Sequence, residues 1–291
     1  MPYVQVNQVA HYYEWIGAET PRPASSSKPV MVFVHGWAGS ARYWRTTAEA
    51  LAQDYDCLLY DMRGFGRSTI APDQAEAQKA RGYELETFAD DLAMLLDALD
   101  LPKVSINAHS MGASVAVYFL NRYPHRVERA ILTCNGIFEY DKAAFDAFYR
   151  FGGYVVAFRP PWLGQIPLAP RFFMARFLHK PIPAAEKIAF LEDFLNADYD
   201  TALGTIFTSV SKQATEVMPV EFAKISVPTL LVSGEFDKIT PAPLGQKAAE
   251  LNPKIQYALV KKTGHFPMLE DAETYLGYVR SFLADVSRIN Y

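Results

Sequence analysis

Three side chains that together can carry out nucleophilic acyl transfer lie far apart in this sequence of 291 residues. Ser110 lies in AHSMGAS, Asp237 in GEFDK and His265 in KKTGHFP, and each follows a short apolar run that predicts a β-strand. A serine hydroxyl is a weak nucleophile until a histidine takes its proton, and a carboxylate can orient that histidine. The order serine, acid, histidine at successive strand ends therefore predicts a hydrolytic site.

The residues around Ser110 are small enough for a sharp strand-to-helix turn. Val104 to Ala108 predicts a strand, and a helix-compatible run begins at Met111. Ala108 and Gly112 lie two residues on either side of the serine, where side chains must be small. The turn would expose the hydroxyl to a base, although such runs also occur in ordinary tight turns.

A second chemical signal follows the apolar strand Val30 to Val34. The loop HGWAGS, residues 35–40, contains glycines at the predicted carboxyl end of that strand. Backbone amides in such a loop can stabilise a developing oxyanion. The alternative is a plain strand-to-helix turn in which His35 is hydrogen-bonded internally.

Strands and helices alternate through most of the chain. Val4 to Trp15 predicts two short antiparallel edge strands, and Leu85 to Leu99 predicts an amphipathic helix before the Ser110 strand. Further apolar runs end near Tyr60, Thr133, Ser233 and Val260. We expect helices at about 42–53, 241–251 and 274–287, and an exposed polar excursion at 70–81. This alternation predicts an α/β fold with a doubly wound, mostly parallel, eight-stranded sheet.

The rhythm is interrupted between residues 136 and 217. This segment has no valine-rich strand, is broken by prolines, and contains a larger share of aromatic residues than the 14% of the whole chain. Within it, Arg159 to Lys180 contains basic but no acidic residues. That stretch could contact a lipid surface or admit an apolar substrate. Equally, its aromatic residues could simply bury the insertion on the rest of the protein.

Composition limits the remaining possibilities. A hydrophobic content of 50% and a charged content of 21% are those of a globular protein, and a net charge of -4 gives no general attraction for nucleic acid. The amino terminus lacks a signal-peptide pattern, so we expect a cytoplasmic protein. We expect Cys57 and Cys134 to be small buried hydrophobic residues. No cluster with metal-ligand spacing is evident, and we expect neither a metal nor another cofactor.

Five segments spread over nearly the whole chain resemble the α/β-hydrolase fold family, in its serine esterase and lipase-like branch with a helical cap. They are HGWAGS, DMRGFGRS, AHSMGA, SGEFDKITP and GHFPMLE. The family's elbow pattern is G-x-S-x-G, and this chain departs from it by having Ala108 in place of the first glycine. DMRGFGRS matches a structural loop of the family, so Asp61, which also precedes the serine, is not our candidate acid.

The resemblance implies a role for each site residue. Ser110, Asp237 and His265 would form the catalytic triad, and the backbone N–H groups of Trp37 and Met111 would form the oxyanion hole. Residues 1–135 and 218–291 would form the core domain, with residues 136–217 as the cap. The expected substrate-binding residues are His35, Gly36, Phe138, Trp162 and Phe266.

The serine points away from relatives with an aspartate nucleophile and favours hydrolysis of carboxylic esters with an apolar acyl or alcohol portion. Carbon–carbon bond hydrolysis and cofactor-free perhydrolysis use the same triad and stay open. So does a non-enzymatic ligand receptor. The expected partner is a small hydrophobic ester, with transient lipid contact through Arg159 to Lys180 as a further hypothesis.

Overall fold

Eight strands form one sheet in the computed structural model of the chain, which describes residues 2–20, 22–23, 26–139, 141–209 and 211–285. The order across the sheet is β1-β2-β4-β3-β5-β6-β7-β8. The strands are β1 (Tyr3–Val6), β2 (Val9–Ile16), β3 (Val30–Val34), β4 (Asp56–Tyr60), β5 (Val104–His109), β6 (Val127–Thr133), β7 (Thr229–Gly234) and β8 (Ile255–Val260). The predicted α/β fold class is confirmed.

Only the first two strands run antiparallel to their neighbours. β1 pairs with β2 and β2 with β4 in antiparallel register, and all other pairs are parallel. Burial alternates along β2, whereas β3 is buried at every position because helices cover both faces of the sheet there. Val34 pairs with Ala108, so the loops after β3 and β5 leave the sheet side by side.

Helices pack on both faces of the sheet. Val32, Ile106 and Leu132 face one hydrophobic layer, and Met31, Phe33 and Ile131 face the other. The helices of the described residues are α1 (Arg45–Leu51), α2 (Ala75–Arg81), α3 (Leu85–Ala98), α4 (Met111–Arg122), α5 (Lys142–Ala157), α6 (Ala169–Met174), α7 (Ala184–Asn196), α8 (Tyr199–Ser209), α9 (Lys212–Lys224), α10 (Ala242–Glu250), α11 (Pro267–Glu270) and α12 (Ala272–Ala284).

Three predicted segments differ in detail. A 3₁₀ turn at Ala41–Trp44 precedes α1. The expected polar excursion at 70–81 contains α2, in which Gln78 is buried and its amide donates to the Asn7 carbonyl over 2.8 Å. α12 begins at residue 272 because the Asp271 side chain caps it, and the end predicted at residue 287 lies outside the described residues.

The described part of residues 136–217 is helical and contains no strand. Two contacts attach it to the loop after β3. The Trp37 indole donates to the Ala202 carbonyl over 2.9 Å, and the Ser40 hydroxyl donates to the Asp193 carboxylate over 2.6 Å. The helical insertion therefore lies against the carboxyl edge of the sheet. Its division from the core as a separate cap stays a prediction.

Candidate active site

Ser110 occupies a strained turn between β5 and α4. Its backbone has φ of 54° and ψ of -124°, a conformation that side-chain-bearing residues rarely adopt. Its N–H donates to the Thr133 carbonyl at the end of β6, which fixes the turn against the next strand. An added Cβ at Gly112 would lie 2.2 Å from the His35 carbonyl oxygen, so only glycine permits this close approach of α4.

The structure brings the three predicted acyl-transfer side chains together. His265 Nε2 lies 3.0 Å from Ser110 Oγ, and His265 Nδ1 lies 2.7 Å from Asp237 Oδ2. The histidine and the aspartate are 3% and 5% exposed. With Nδ1 donating to the carboxylate, Nε2 is the acceptor and can take the serine proton.

The second carboxylate oxygen of Asp237 fixes the orientation of the acid. Oδ1 accepts hydrogen bonds from the N–H groups of Ile239, over 2.7 Å, and Thr240, over 3.0 Å. Oδ2 is thereby left to face His265. Glu235 lies in the same loop, but its carboxylate is exposed and accepts from the Lys262 N–H over 2.8 Å. Asp237 is therefore the acid that faces the imidazole.

Several backbone N–H groups beside the serine have no protein acceptor within the described ranges, and two of them are the oxyanion donors that the sequence resemblance implied. They are those of Trp37, in the loop after β3, and of Met111, the first residue of α4. The neighbouring Gly36 N–H is already used, because it donates to the Tyr43 hydroxyl over 2.6 Å. The N–H groups of Trp37 and Met111 can thus donate to a substrate oxygen, and their role as an oxyanion hole stays a prediction.

A buried imidazole links the two sides of the site. His109 Nε2 donates to the His265 carbonyl over 2.8 Å, so Nδ1, 3.0 Å from the Tyr43 hydroxyl, is an acceptor. Burial lowers the pKa of His109 well below its usual value, and the nearby His265 lowers it further. A neutral histidine therefore connects the loop of Gly36 to the loop of His265.

An apolar cavity of about 100 Å³ opens beside Ser110 and His265. Gly36 and Phe266, two of the residues expected to bind substrate, line it, and their contact with a substrate stays a prediction. Most of its remaining wall comes from other apolar side chains. Phe173, Met174 and Phe177 lie in the stretch Arg159 to Lys180, which the sequence suggested could admit an apolar substrate. Tyr43, Phe190 and Ile239 were not expected there, and no local pattern could have identified them, because they come from separate elements.

Three residues expected to bind substrate lie elsewhere. His35 is fully buried behind the cavity, where it donates to the Gly36 carbonyl and accepts from the Met62 N–H, so the internally bonded alternative is correct for this side chain. Phe138 lines a separate small cavity with Ser114 and other residues. Trp162 is 52% exposed beside Phe158, because the prolines before it place it in a surface turn.

The possibility of a metal site arises at one buried cluster. Potential ligand atoms of His109, Cys134 and His265 lie within 4.8 Å of one another. Both nitrogens of each ring already have hydrogen-bond partners, and burial raises the pKa of the Cys134 thiol well above its usual value. Metal binding would have to break this network. Both cysteines are free and buried, as predicted.

The Asp61 loop has the structural role predicted for it. The carboxylate accepts from the Ala41 N–H over 2.8 Å and from the Arg67 N–H over 2.8 Å, and it pairs with the Arg67 guanidinium. It thereby ties the loop after β4 to the loop after β3. The Asp61 carboxylate binds these donors and, among the described residues, does not contact the His265 imidazole.

A sequence profile of the alpha/beta hydrolase fold family matches residues 29–272, which include every side chain of this site. The chain belongs to the alpha/beta hydrolase fold family. This agrees with the resemblance seen in the five sequence segments. None of the described helices has the length and apolar character needed to cross a bilayer.

Relatives in this family have diverse names. The chain is 26% identical to a proline iminopeptidase of Heyndrickxia coagulans, over 89% of this chain and 91% of the relative. It is 27% identical to a non-heme chloroperoxidase of Kitasatospora aureofaciens, over 82% and 85%. An esterase structure from Exiguobacterium antarcticum superposes with a TM-score of 0.77 at 20% identity, over 97% and 98%, which shows the shared fold alone.

Proposed function

We propose that this hydrolase cleaves carboxylic esters through a covalent acyl-enzyme on Ser110. The observation that carries the proposal is the hydrogen-bonded chain from Asp237 through His265 to Ser110, which ends at an apolar cavity. His265 takes the serine proton as the hydroxyl attacks the ester carbonyl. The N–H groups of Trp37 and Met111 stabilise the oxyanion, and loss of one such donor typically costs about 2.7 to 4 kcal/mol.

The second half of the reaction uses the same groups. The protonated imidazole gives its proton to the leaving alcohol, and the ester bond breaks to leave an acyl-serine. Water then enters, His265 removes its proton, and attack on the acyl carbonyl releases the carboxylic acid and restores Ser110. Asp237 keeps the imidazole oriented through both steps and stabilises its positive charge.

The cavity supports a small apolar acyl group. Its volume of about 100 Å³ is below the roughly 150 Å³ of an engineered cavity that holds benzene. We therefore expect acetyl to butyryl esters to be cleaved faster than palmitoyl esters in a p-nitrophenyl ester series. A fluorophosphonate should label Ser110 and should not label Ser110→Ala. If no ester is cleaved and Ser110 is not labelled, the ester hydrolase proposal is wrong.

The relatives' names give two alternatives. A peptidase that removes amino-terminal residues must bind a protonated amine, but none of the described residues that line this cavity is acidic. We therefore expect no release from proline p-nitroanilide. Perhydrolysis uses the same triad with hydrogen peroxide in place of water, and the chloroperoxidase relative makes it the second candidate. Halogenation that depends on acetate and peroxide, faster than ester hydrolysis, would favour it.

We also propose that the outer face of the helical insertion contacts an anionic lipid surface. Large apolar side chains are exposed along the segment 154–172, which we call the apolar segment. They are Tyr154, Phe158, Trp162, Ile166, Leu168 and Phe172. Exposed arginines accompany them, and no acidic residue occurs between positions 147 and 185. Apolar and cationic groups on one segment favour anionic headgroups above exposed acyl chains.

Vesicle flotation tests this contact. We expect the protein to float with phosphatidylglycerol vesicles, less with phosphatidylcholine, and less after the double change Phe158→Ser and Phe172→Ser. Tyr278→Ser is the matched control, because Tyr278 is an exposed aromatic residue on α12, outside the insertion. Equal flotation of the double variant and the control would contradict the proposed contact.

A further inference from the structure

The carboxylate of Glu270 lies at the back of the candidate active site, at the end of α11. Glu270 is 8% exposed, and among the described residues the hydrogen bonds that its carboxylate accepts come from backbone N–H groups. Gly264 donates over 2.9 Å and Phe266 over 3.2 Å, on either side of His265. His179 and Lys180, in the connection between α6 and α7, each donate over 2.7 Å.

The Glu270 carboxylate is bound by these backbone amides, while the nearby ammonium group pairs with a different carboxylate. The Lys180 ammonium pairs with Asp271 over 2.7 Å, and within the described ranges no cationic side chain pairs with Glu270. A buried carboxylate is costly unless it is well hydrogen-bonded, and bonds to a charged acceptor are stronger than neutral ones. The four donors therefore hold their two chain segments firmly around one group.

These two segments also touch each other directly. The His265 N–H donates to the Phe177 carbonyl over 2.7 Å, and a Cβ at Gly264 would lie 2.5 Å from that same oxygen. The Phe177 ring lines the cavity and lies 6.2 Å from the imidazole, measured between centroids. The backbone that carries the candidate base is thus joined to a segment that forms the cavity wall.

We propose that Glu270 is a positioning residue that sets the orientation of His265 and the position of the Phe177 wall together. The proposal rests on the role of His265 as the base in the proposed function. A change in the 177–180 segment, such as one caused by a ligand against Phe177, reaches the imidazole through the Glu270 carboxylate. Contacts of the helical insertion thereby adjust the rate of proton transfer at the serine.

Glu270→Gln tests the proposal. The amide keeps one acceptor oxygen and turns an NH2 group towards backbone N–H donors, so part of the clamp is lost at nearly unchanged volume. We expect kcat per fluorophosphonate-titrated site to fall roughly 10- to 100-fold, as for a misplaced catalytic group, with a much smaller change in KM. We also expect the downfield ¹H NMR resonance of the proton between His265 and Asp237 to shift or broaden.

Asp56→Asn is the matched control. Asp56 is a buried carboxylate in the first position of β4, at the opposite edge of the sheet, where it pairs with Arg22 over 2.7 Å. Its loss should lower stability and leave kcat per titrated site and the resonance unchanged. If Glu270→Gln behaves like this control, Glu270 has only a structural role and the proposal is overturned.

A second pair of variants decides the matter if Glu270→Gln does not fold. Lys180→Pro removes one N–H donor to the carboxylate, and Lys180→Ala removes the same side chain but keeps the donor. We expect kcat to be several-fold lower in the proline variant, and equal values would refute the coupling. The NMR readout needs no substrate. An unmodified protein that cleaves no ester would contradict the ester hydrolase proposal, whereas a resonance that is unchanged in Glu270→Gln would contradict the positioning role of Glu270.

Discussion

Replacing Asp237 by asparagine should abolish most activity through a change of tautomer at His265. Oδ1 of the present carboxylate accepts two turn N–H groups, from Ile239 and Thr240. In the variant, the single carboxamide oxygen satisfies both of them only if the NH2 group faces the imidazole. Nδ1 must then accept, Nε2 carries the proton, and Ser110 loses its base.

The size of the effect follows from the cost of the alternative rotamer. A flipped amide would point its NH2 at two donors and leave them unsatisfied, at about 1 to 3 kcal/mol each. The turn therefore enforces the wrong tautomer by roughly 2 to 6 kcal/mol. The same substitution in a serine protease triad lowers kcat about 10⁴-fold, which corresponds to about 5 kcal/mol. We expect a loss of that order for Asp237→Asn.

Hydrolysis of p-nitrophenyl butyrate, normalised to correctly folded protein, measures this loss. Glu235→Gln is the control, because Glu235 lies two residues away, bonds to the Lys262 N–H and does not face the imidazole. Its kcat should be unchanged. If Asp237→Asn retains more than about a tenth of kcat, Asp237 does not fix the tautomer of His265. A loss confined to Glu235→Gln would make Glu235 the acid.

Four further changes have distinct expected outcomes. Ala108→Gly restores the family pattern and should leave turnover largely intact; a collapse would show that the elbow is packed differently. Gly112→Ala should lower both stability and activity, because the new Cβ meets a backbone carbonyl 2.2 Å away. Phe173→Ala should enlarge the cavity and raise kcat/KM for octanoyl relative to butyryl esters. The gain in transition-state binding should be about 0.8 kcal/mol per newly buried methylene. Phe158→Ala is the control, because Phe158 is exposed outside the cavity, and it should not change this ratio. Burial lowers the pKa of His11, so the folded state binds fewer protons than the unfolded state, and stability is lost as pH falls below about 6.5. Urea unfolding at pH 7.5, 6.5 and 5.5 gives the free energy of unfolding as a function of pH. The slope of that free energy against pH should be smaller by up to about 1.4 kcal/mol per pH unit in His11→Gln, and an unchanged slope would contradict this.

The local sequence pattern was sufficient to predict the strands and the turn that carry the candidate site residues. Short apolar runs predicted the buried strands, because a strand covered on both faces of a sheet is apolar at nearly every position. The small residues around Ser110 predicted its turn, and the position of Asp237 and His265 after strands predicted that they would meet. Parallel strands end at one edge of a sheet, so chain order alone was enough for this inference.

The cavity and the contacts behind it depend on tertiary structure. Tyr43, Phe173 and Phe190 meet beside Ser110 although they come from the loop after β3 and from two helices of the insertion. Trp162 and Phe138 have the same apolar character, yet one is exposed and the other lines a separate cavity. Hydrophobicity is a property of each residue, whereas the side to which a helix turns depends on the packing of every neighbour.

The same distinction applies to the groups that orient His265. GHFPMLE indicated the histidine by its type and position, but it gave no sign that Glu270 would bind the amides of residues 179 and 180. Hydrogen bonds to backbone N–H groups do not depend on the side chain of the donor, so they leave no pattern at the donor positions. The sequence alone was enough to predict the fold class and the three side chains that meet beside the cavity. Only the tertiary structure decided which contacts hold them and what shape of cavity they face, because both depend on segments that are distant in the chain.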